Sequence, residues 1–269
     1  ATACLALGIH DRALEHVAES IERDPFLPRS HAVHAELLFR AGDYGGAREA
    51  LDRIKFLPGT SLKIYLSVIH LYTRMGMVDA AEKVLGRSAR DHPGHEGLLY
   101  LSAKIHELKG EDERALRIYR SLASRAPGNA DLQNALGCVC ERLGILGEAL
   151  ESFERAKKID PNNPRIEMNL GIVKDRLGMT CEAEAHLTRA IAIGERTGAG
   201  FNALGCHYAG RGEYLEAVRC FGRAVELEPR NMQFRTNLAM ACRRVDPAMR
   251  REEGPGDARI PAEPITPSR

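Results

Sequence analysis

From Ala130 to Asn163, apolar residues recur at three- and four-residue steps in two separate runs. Leu132, Leu136, Cys140 and Leu143 make the first run, and Ala149, Phe153, Ala156 and Ile159 the second. That period puts each run on one face of an α-helix. Gly144 stands between them, where a residue without a Cβ ends a helix in the left-handed conformation at little cost. Pro161 follows the second run; it lacks an N–H and restricts the residue before it, so it stops the second helix. The pattern predicts a helical hairpin, and no stretch of the chain shows the alternation of a strand.

The hairpin recurs at a fixed interval. The step from Gly8 to Gly42 is repeated unchanged to Gly76, Gly110, Gly144, Gly178 and Gly212. Five residues after each glycine comes an alanine: Ala13, Ala47, Ala81, Ala115, Ala149, Ala183 and Ala217. A ruler of this length is the mark of a solenoid, in which one small unit stacks on its own copies. Pro25, Pro93, Pro127, Pro161 and Pro229 share a phase, and two residues beyond that phase stand Asn129, Asn163 and Asn231, with Ser61 and Thr197 at the matching sites. These side chains are expected to cap the next helix by accepting from its free amides. Small residues at Ala35, Ala103, Gly137, Gly171 and Gly205 let the two helices of a hairpin approach closely. The larger Val17, Leu51, Leu85, Tyr119, Phe153, Leu187 and Phe221 are expected to fill the space between neighbouring hairpins.

The strings Leu170-Gly171, Leu204-Gly205 with Tyr208, Gly212 with Tyr214, Ala217, Phe221, Ala224 and Pro229 closely follow one known pattern. Through them the chain resembles the tetratricopeptide repeat family over about residues 1–245. The resemblance implies an all-α, right-handed α-solenoid of about seven helical hairpins. Departures are visible: the family's frequent Trp gives way to His31, Tyr65, Leu99 and Phe201, its proline comes one residue early at Pro58, and Glu195 replaces it in the sixth copy. The junction from Gly194 to Gly200, with three glycines and no proline, is expected to be the loosest joint.

Two ends frame the array. The chain starts at Ala1 without Met, and Gly8 falls where the fifteenth place of a repeat unit belongs, so the first repeat reads as truncated and the chain as excised from a longer one. Residues 232–245 read as one more helix that caps the last hairpin. Residues 246–269 hold five of the 13 prolines, with Gly254 and Gly256, and are expected to be disordered.

Composition narrows the function classes. A formal net charge of +1 supplies no global field toward nucleic acid or an anionic membrane. Trp is absent and aromatics are 5%, which leaves few platforms for stacking bases. No apolar run approaches the roughly 20 residues of a membrane span. The seven cysteines form no C-x-x-C pair. Cys138 and Cys206 hold equivalent sites two repeats apart, too far for a disulfide, and read as small apolar fillers. Unpaired thiols favour a reducing compartment such as the cytoplasm.

The candidate chemistry is thin. His31-x-x-His34 has metal-ligand spacing but no third ligand nearby, and His31 occupies the bulky packing site. His92-Pro93-Gly94-His95 reads as a solvated turn. Gly198-Ala199-Gly200 lacks the preceding strand and the spacing of a dinucleotide loop. No nucleophile–base order, phosphate loop or paired-carboxylate motif emerges, so the chain reads as a non-enzyme without cofactor or metal.

By the same resemblance, the exposed face of each first helix lines a concave groove that holds extended peptides or partner helices. The candidate partner-binding residues there are Lys63, Arg74, Lys104, Asn134, Arg142, Arg165, Asn169, Arg176, Asn202 and Asn237. Arg29, Glu36, Arg40, His70, Glu107, Asp131, Glu141, Asp175 and Arg243 share that face. Basic residues outnumber acidic ones in this set, which favours an acidic partner. The asparagines suit a sequence-independent grip, because one amide both donates and accepts. The expected function is a scaffold or adaptor that binds a protein or peptide and no nucleic acid. Two alternatives stand beside it: the protein-binding arm of a larger enzyme such as a transferase, and a bacterial pilus or secretion assembly factor. Partner and oligomeric state are not written in these residues.

Overall fold

The computed structural model describes residues 2–54, 60–194 and 197–245, the side chains of the first ten residues excepted. Among them are fourteen helices and no strand. The chain divides into two compact units, residues 1–125 and 126–269. The expected tail over 246–269, Pro58 and Glu195 lie outside the described residues.

The first unit holds α1 (Thr2–Arg23) and three hairpins: α2 (Pro28–Arg40) with α3 (Tyr44–Ile54), α4 (Leu62–Arg74) with α5 (Val78–Asp91), and α6 (Glu96–Leu108) with α7 (Asp112–Arg125). The second holds three more: α8 (Ala130–Arg142) with α9 (Leu146–Ile159), α10 (Pro164–Arg176) with α11 (Thr180–Ile193), and α12 (Gly198–Gly210) with α13 (Tyr214–Leu227). The expected cap is α14 (Met232–Arg244), which packs on α13 through Leu238 and Ala241.

The ruler glycines do what their spacing requires. Gly42, Gly76, Gly110, Gly144, Gly178 and Gly212 all take φ between 70° and 83°, a region where a Cβ is strained. Each reverses the chain between first and second helix; at Gly144, the Ile145 amide donates to the Cys140 carbonyl at 2.8 Å. Gly8 differs. It lies inside α1, so the first copy contributes one helix without a turn. A glycine inside a helix costs only about 1 kcal/mol against Ala.

Ala47, Ala81, Ala115, Ala149, Ala183 and Ala217 are all fully buried, which brings the paired helices close. The large residue four positions later points elsewhere than expected. Phe153 lies over Gly137, Leu187 over Gly171 and Phe221 over Gly205, each inside its own hairpin. A Cβ at any of these glycines would fall 2.6–2.7 Å from the partner side chain. The large residue thus fills a space inside one hairpin that its small partner leaves. Burying such a side chain stabilises by about 1.5–3 kcal/mol.

The caps divide by residue type. Asn129 accepts from the Leu132 amide, Asn163 from Arg165, and Asn231 from Gln233 and Phe234. Ser61 and Thr197 hold the same position without making that bond. At Thr197 the next turn is held differently: the Gly198 amide donates to Glu228 Oε1 at 2.7 Å, and a Cβ on Gly198 would meet the Phe234 ring at 2.5 Å.

Candidate functional site

The core claims the Gly, Ala, Leu and Phe positions of each hairpin. What remains on the first helices is mostly polar, and the two units arrange it differently.

In the second unit the four asparagines form two pairs. Asn169 of α10 donates through Nδ2 to Asn134 Oδ1 of α8 at 2.9 Å, and the same nitrogen lies 3.4 Å from Cys138 Sγ. Asn237 of α14 donates to Asn202 Oδ1 of α12 at 2.8 Å and lies 3.9 Å from Cys206 Sγ. Every member of the second cluster stands two full repeats beyond its counterpart in the first. All four amides are half-buried rather than freely exposed. Cys138 and Cys206 are therefore more than apolar fillers, since each thiol lies beside an amide pair. Burial, and then the charge of Asp175, push the Cys206 thiol above its ordinary range.

One part of each pair is still available. A side-chain amide has two donors and an oxygen with two lone pairs. Among the described residues, Asn169 Oδ1 and Asn237 Oδ1 accept no hydrogen bond.

Arg176 of α10 reaches back to Glu141 of α8, pairing with its carboxylate and donating to its main-chain oxygen at 2.8 Å. Arg142 and Arg165 are exposed, and Arg165 has no ion-pair partner among the described residues. Asp175, expected on the open face, is taken by the fully buried His207 at 2.6 Å.

In the first unit, Lys63 and Arg74 line one open cleft between α2 and α4. Arg74 lies 3.5 Å from Glu36 and 4.4 Å over the Phe39 ring. Burial first, and then the Arg74 charge, lower the basicity of His70 in the same cleft. Lys104 stands apart on α6. It pairs with Glu107 at 3.0 Å, about 6 Å over the Tyr100 and Tyr119 rings. Glu107 also accepts from Tyr119 Oη at 2.5 Å, so this group is tied up internally.

His31 is buried, with Nε2 2.9 Å from the Pro25 carbonyl oxygen, as its packing site requires. A second polar node has no counterpart in the sequence reading. Glu167 of α10 is buried, 2.9 Å from Lys157 of α9, and 2.6 and 3.1 Å from His186 and Arg189 of α11. Burial alone would raise its pKa; the close approach of Lys157 and His186 outweighs burial and holds the carboxyl below its ordinary value. This node ties three helices together around a buried carboxylate. Among the described residues, no helix is long and apolar enough to cross a membrane, and no three potential metal ligands come together.

Known proteins carry the same pattern. A family model described as tetratricopeptide repeat matches residues 130–163 and 198–231, and another of the same description matches residues 1–59 and 69–130. Mouse tetratricopeptide repeat protein 21A is 28% identical over 163 residues, which are 58% of this chain and 12% of that protein. The bovine BBSome complex member BBS4 is 26% identical over 211 residues, 77% of this chain and 40% of that protein. The chain thus spans less than half the length of either relative. Among solved structures, TTC0263, a thermophilic tetratricopeptide repeat protein of Thermus thermophilus, aligns with a TM-score of 0.61 at 25% identity, over 68% of this chain and 99% of its own. The Cut9-Hcn1 hetero-tetramer of APC/C aligns at 0.66 over 86% of this chain and 46% of its own; at 18% identity that likeness concerns the fold alone. Repeats of this kind, and the relatives that carry them, support a general role as a protein-interaction scaffold.

Proposed function

Because the chain belongs to the tetratricopeptide repeat family, we propose that it is a non-enzymatic scaffold that grips a partner protein or an extended peptide along its first helices. One observation carries this reading. Two like Asn–Asn–Cys clusters recur two repeats apart on first-helix positions, each with one Asn oxygen unclaimed by the fold. A half-buried acceptor that no side chain of the fold claims is open to a partner's donor. An extended partner does, because every second residue of a strand turns its N–H to the same side. Neighbouring packed helices lie about 8–10 Å apart, so two first-helix steps span roughly 20 Å, about six residues of extended chain. Membership of a complex in the name of the bovine relative supports an assembly role.

Affinity capture from cell extract, quantified by mass spectrometry, tests the reading with two variants. Asn169→Ala with Asn237→Ala removes both open acceptors. Because each amide is half-buried and bonded within the fold, each substitution also lowers stability by about 0.5–1.5 kcal/mol. Glu151→Ala with Arg155→Ala removes an exposed ion pair on α9 and serves as the control. Partners retained by the parent and the control and lost by the asparagine variant are the expected result. If the α9 variant loses them and the asparagine variant keeps them, the partner uses the second helices and the reading fails.

A further inference from the structure

The first unit has an open cleft of about 850 Å³ between α2 and α4, floored by the buried Leu51. Its walls repeat with the period of the chain: Arg29 and Lys63 hold equivalent places one repeat apart, and so do Arg40 and Arg74. Between these two charged ends lies an apolar strip that includes Val33 and Ile64.

The two ends are not equivalent. At the C-terminal end of the helices, Arg40 donates to Glu36 at 2.7 Å and Arg74 lies 3.5 Å from the same carboxylate. One anion is therefore already in place there. At the N-terminal end, Arg29 and Lys63 are exposed and have no ion-pair partner among the described residues. Neither α2 nor α4 has an acidic residue in its first turn. First turns ordinarily favour carboxylates, because the free amides carry partial positive charge. Here two cations add to that charge in place of offsetting it.

We propose that this cleft binds a short acidic segment of a partner protein, with carboxylates at Arg29 and Lys63 and apolar side chains over Val33 and Ile64. The proposal rests on the scaffold reading and adds a place and a chemistry to it. From Arg29 to Arg40 the cleft runs about 16 Å at 1.5 Å per helical residue, which matches about five residues of extended chain. A protein segment fits better than nucleic acid. No Phe, Tyr or Trp lines the cleft to stack a base, and between its ends Ala32, Val33, Leu37, Ile64 and Leu71 stand beside Glu36, Ser67 and His70 where a phosphate backbone would need cations.

Fluorescence polarisation on the full chain decides the matter. The probe is a capped, labelled peptide of two aspartates followed by leucine, valine and leucine; the reference replaces both aspartates with asparagine. The expected result is at least tenfold tighter binding of the aspartate peptide at low ionic strength. That preference shrinks as salt rises, because the contacts are exposed. Arg29→Glu with Lys63→Glu abolishes it with an unchanged circular dichroism spectrum, since both side chains are exposed. Arg40→Gln changes it less than threefold. Equal binding of the two peptides, or no binding of either, overturns the acidic-segment proposal. So does displacement of the peptide by a thymidine oligonucleotide at lower concentration, which assigns the cleft to phosphate. If the Asn169 and Asn237 variant loses partners in the capture experiment while these peptides fail here, the cleft proposal falls and the scaffold reading stands.

Discussion

Gly205→Ala and Gly222→Ala make the same chemical change on neighbouring helices, and the structure gives them opposite signs. Both glycines lie inside helices with ordinary φ, so both gain about 0.8–1 kcal/mol of helix preference on becoming Ala. Their surroundings differ. A Cβ at Gly205 falls 2.7 Å from both Cδ1 and Cε1 of Phe221, a ring that is only 3% exposed. To restore the ~3.5 Å of ordinary carbon contact, the ring must withdraw into a packed interior. Overpacking of that kind costs about 1–3 kcal/mol. A Cβ at Gly222 meets nothing within 4 Å. The helix gain cancels between the two variants, so Gly222→Ala should exceed Gly205→Ala in stability by about 1–3 kcal/mol. Gly222→Ala itself should lie about 0.5–1 kcal/mol above the parent. Urea unfolding followed by circular dichroism reads the midpoints. Hydrogen exchange localises the change, which matters because repeat arrays need not unfold in one step. If Gly205→Ala raises the midpoint as much as Gly222→Ala does, the ring has room, and close approach is not why a glycine stands there.

Two further outcomes follow from the polar groups. Glu167→Gln should lower stability at pH 7 by roughly 1–3 kcal/mol, because it leaves Lys157, His186 and Arg189 gathered around a neutral group. The folded pKa of Glu167 is depressed, so its contribution is present above the unfolded value near 4.3 and lost as pH falls through the folded value. The gap between parent and variant should therefore close on acidification; a gap that stays constant down to about pH 3 would sink the assignment. Burial first, then the neighbouring charge of Glu216, push the Cys220 thiol up to about 11, whereas Cys181 is exposed. Iodoacetamide at pH 8 should therefore modify Cys181 well before Cys220, read by peptide mass spectrometry; equal rates would contradict the burial of Cys220.

What can be read from the chain alone follows from what a single residue can dictate. Gly144 and its equivalents announce a left-handed turn, because only one residue type takes that conformation freely. Ala149 and its equivalents announce a close approach, because no larger side chain fits. Asn129, Asn163 and Asn231 cap as their type suggests. Ser61 and Thr197 hold the same place without that bond. Gly8 misleads, since a ruler position ends a helix only where a second helix folds back. The direction of Phe153 and Phe221 escapes the pattern for a related reason. Periodicity says that a residue is inside, and not which of two neighbours it meets. The candidate site is half legible. Lys63 and Arg74 do share a cleft, but Asn134, Asn169, Asn202 and Asn237 pair with each other instead of standing free. One signal of that pairing is present, in the common two-repeat spacing of both asparagine positions and of Cys138 and Cys206. The Glu167 node leaves no local trace, because its cations come from two other helices.

The asparagine pairs join residues one place further apart than a full repeat, as does the contact between Arg176 and Glu141. Between α8 and α10 and between α12 and α14, a matching side chain therefore has to move one place along from copy to copy. Asn134 and Asn202 hold one register and Asn169 and Asn237 the next, so the second unit is spelled in couplets of two repeats. Excision of a single copy between Asn134 and Asn202 would set two residues of the same register side by side, and their amides would miss. Excision of two copies would restore the rhyme. Length changes that keep the amide pairs are thus quantised in pairs, although the backbone is quantised in singles.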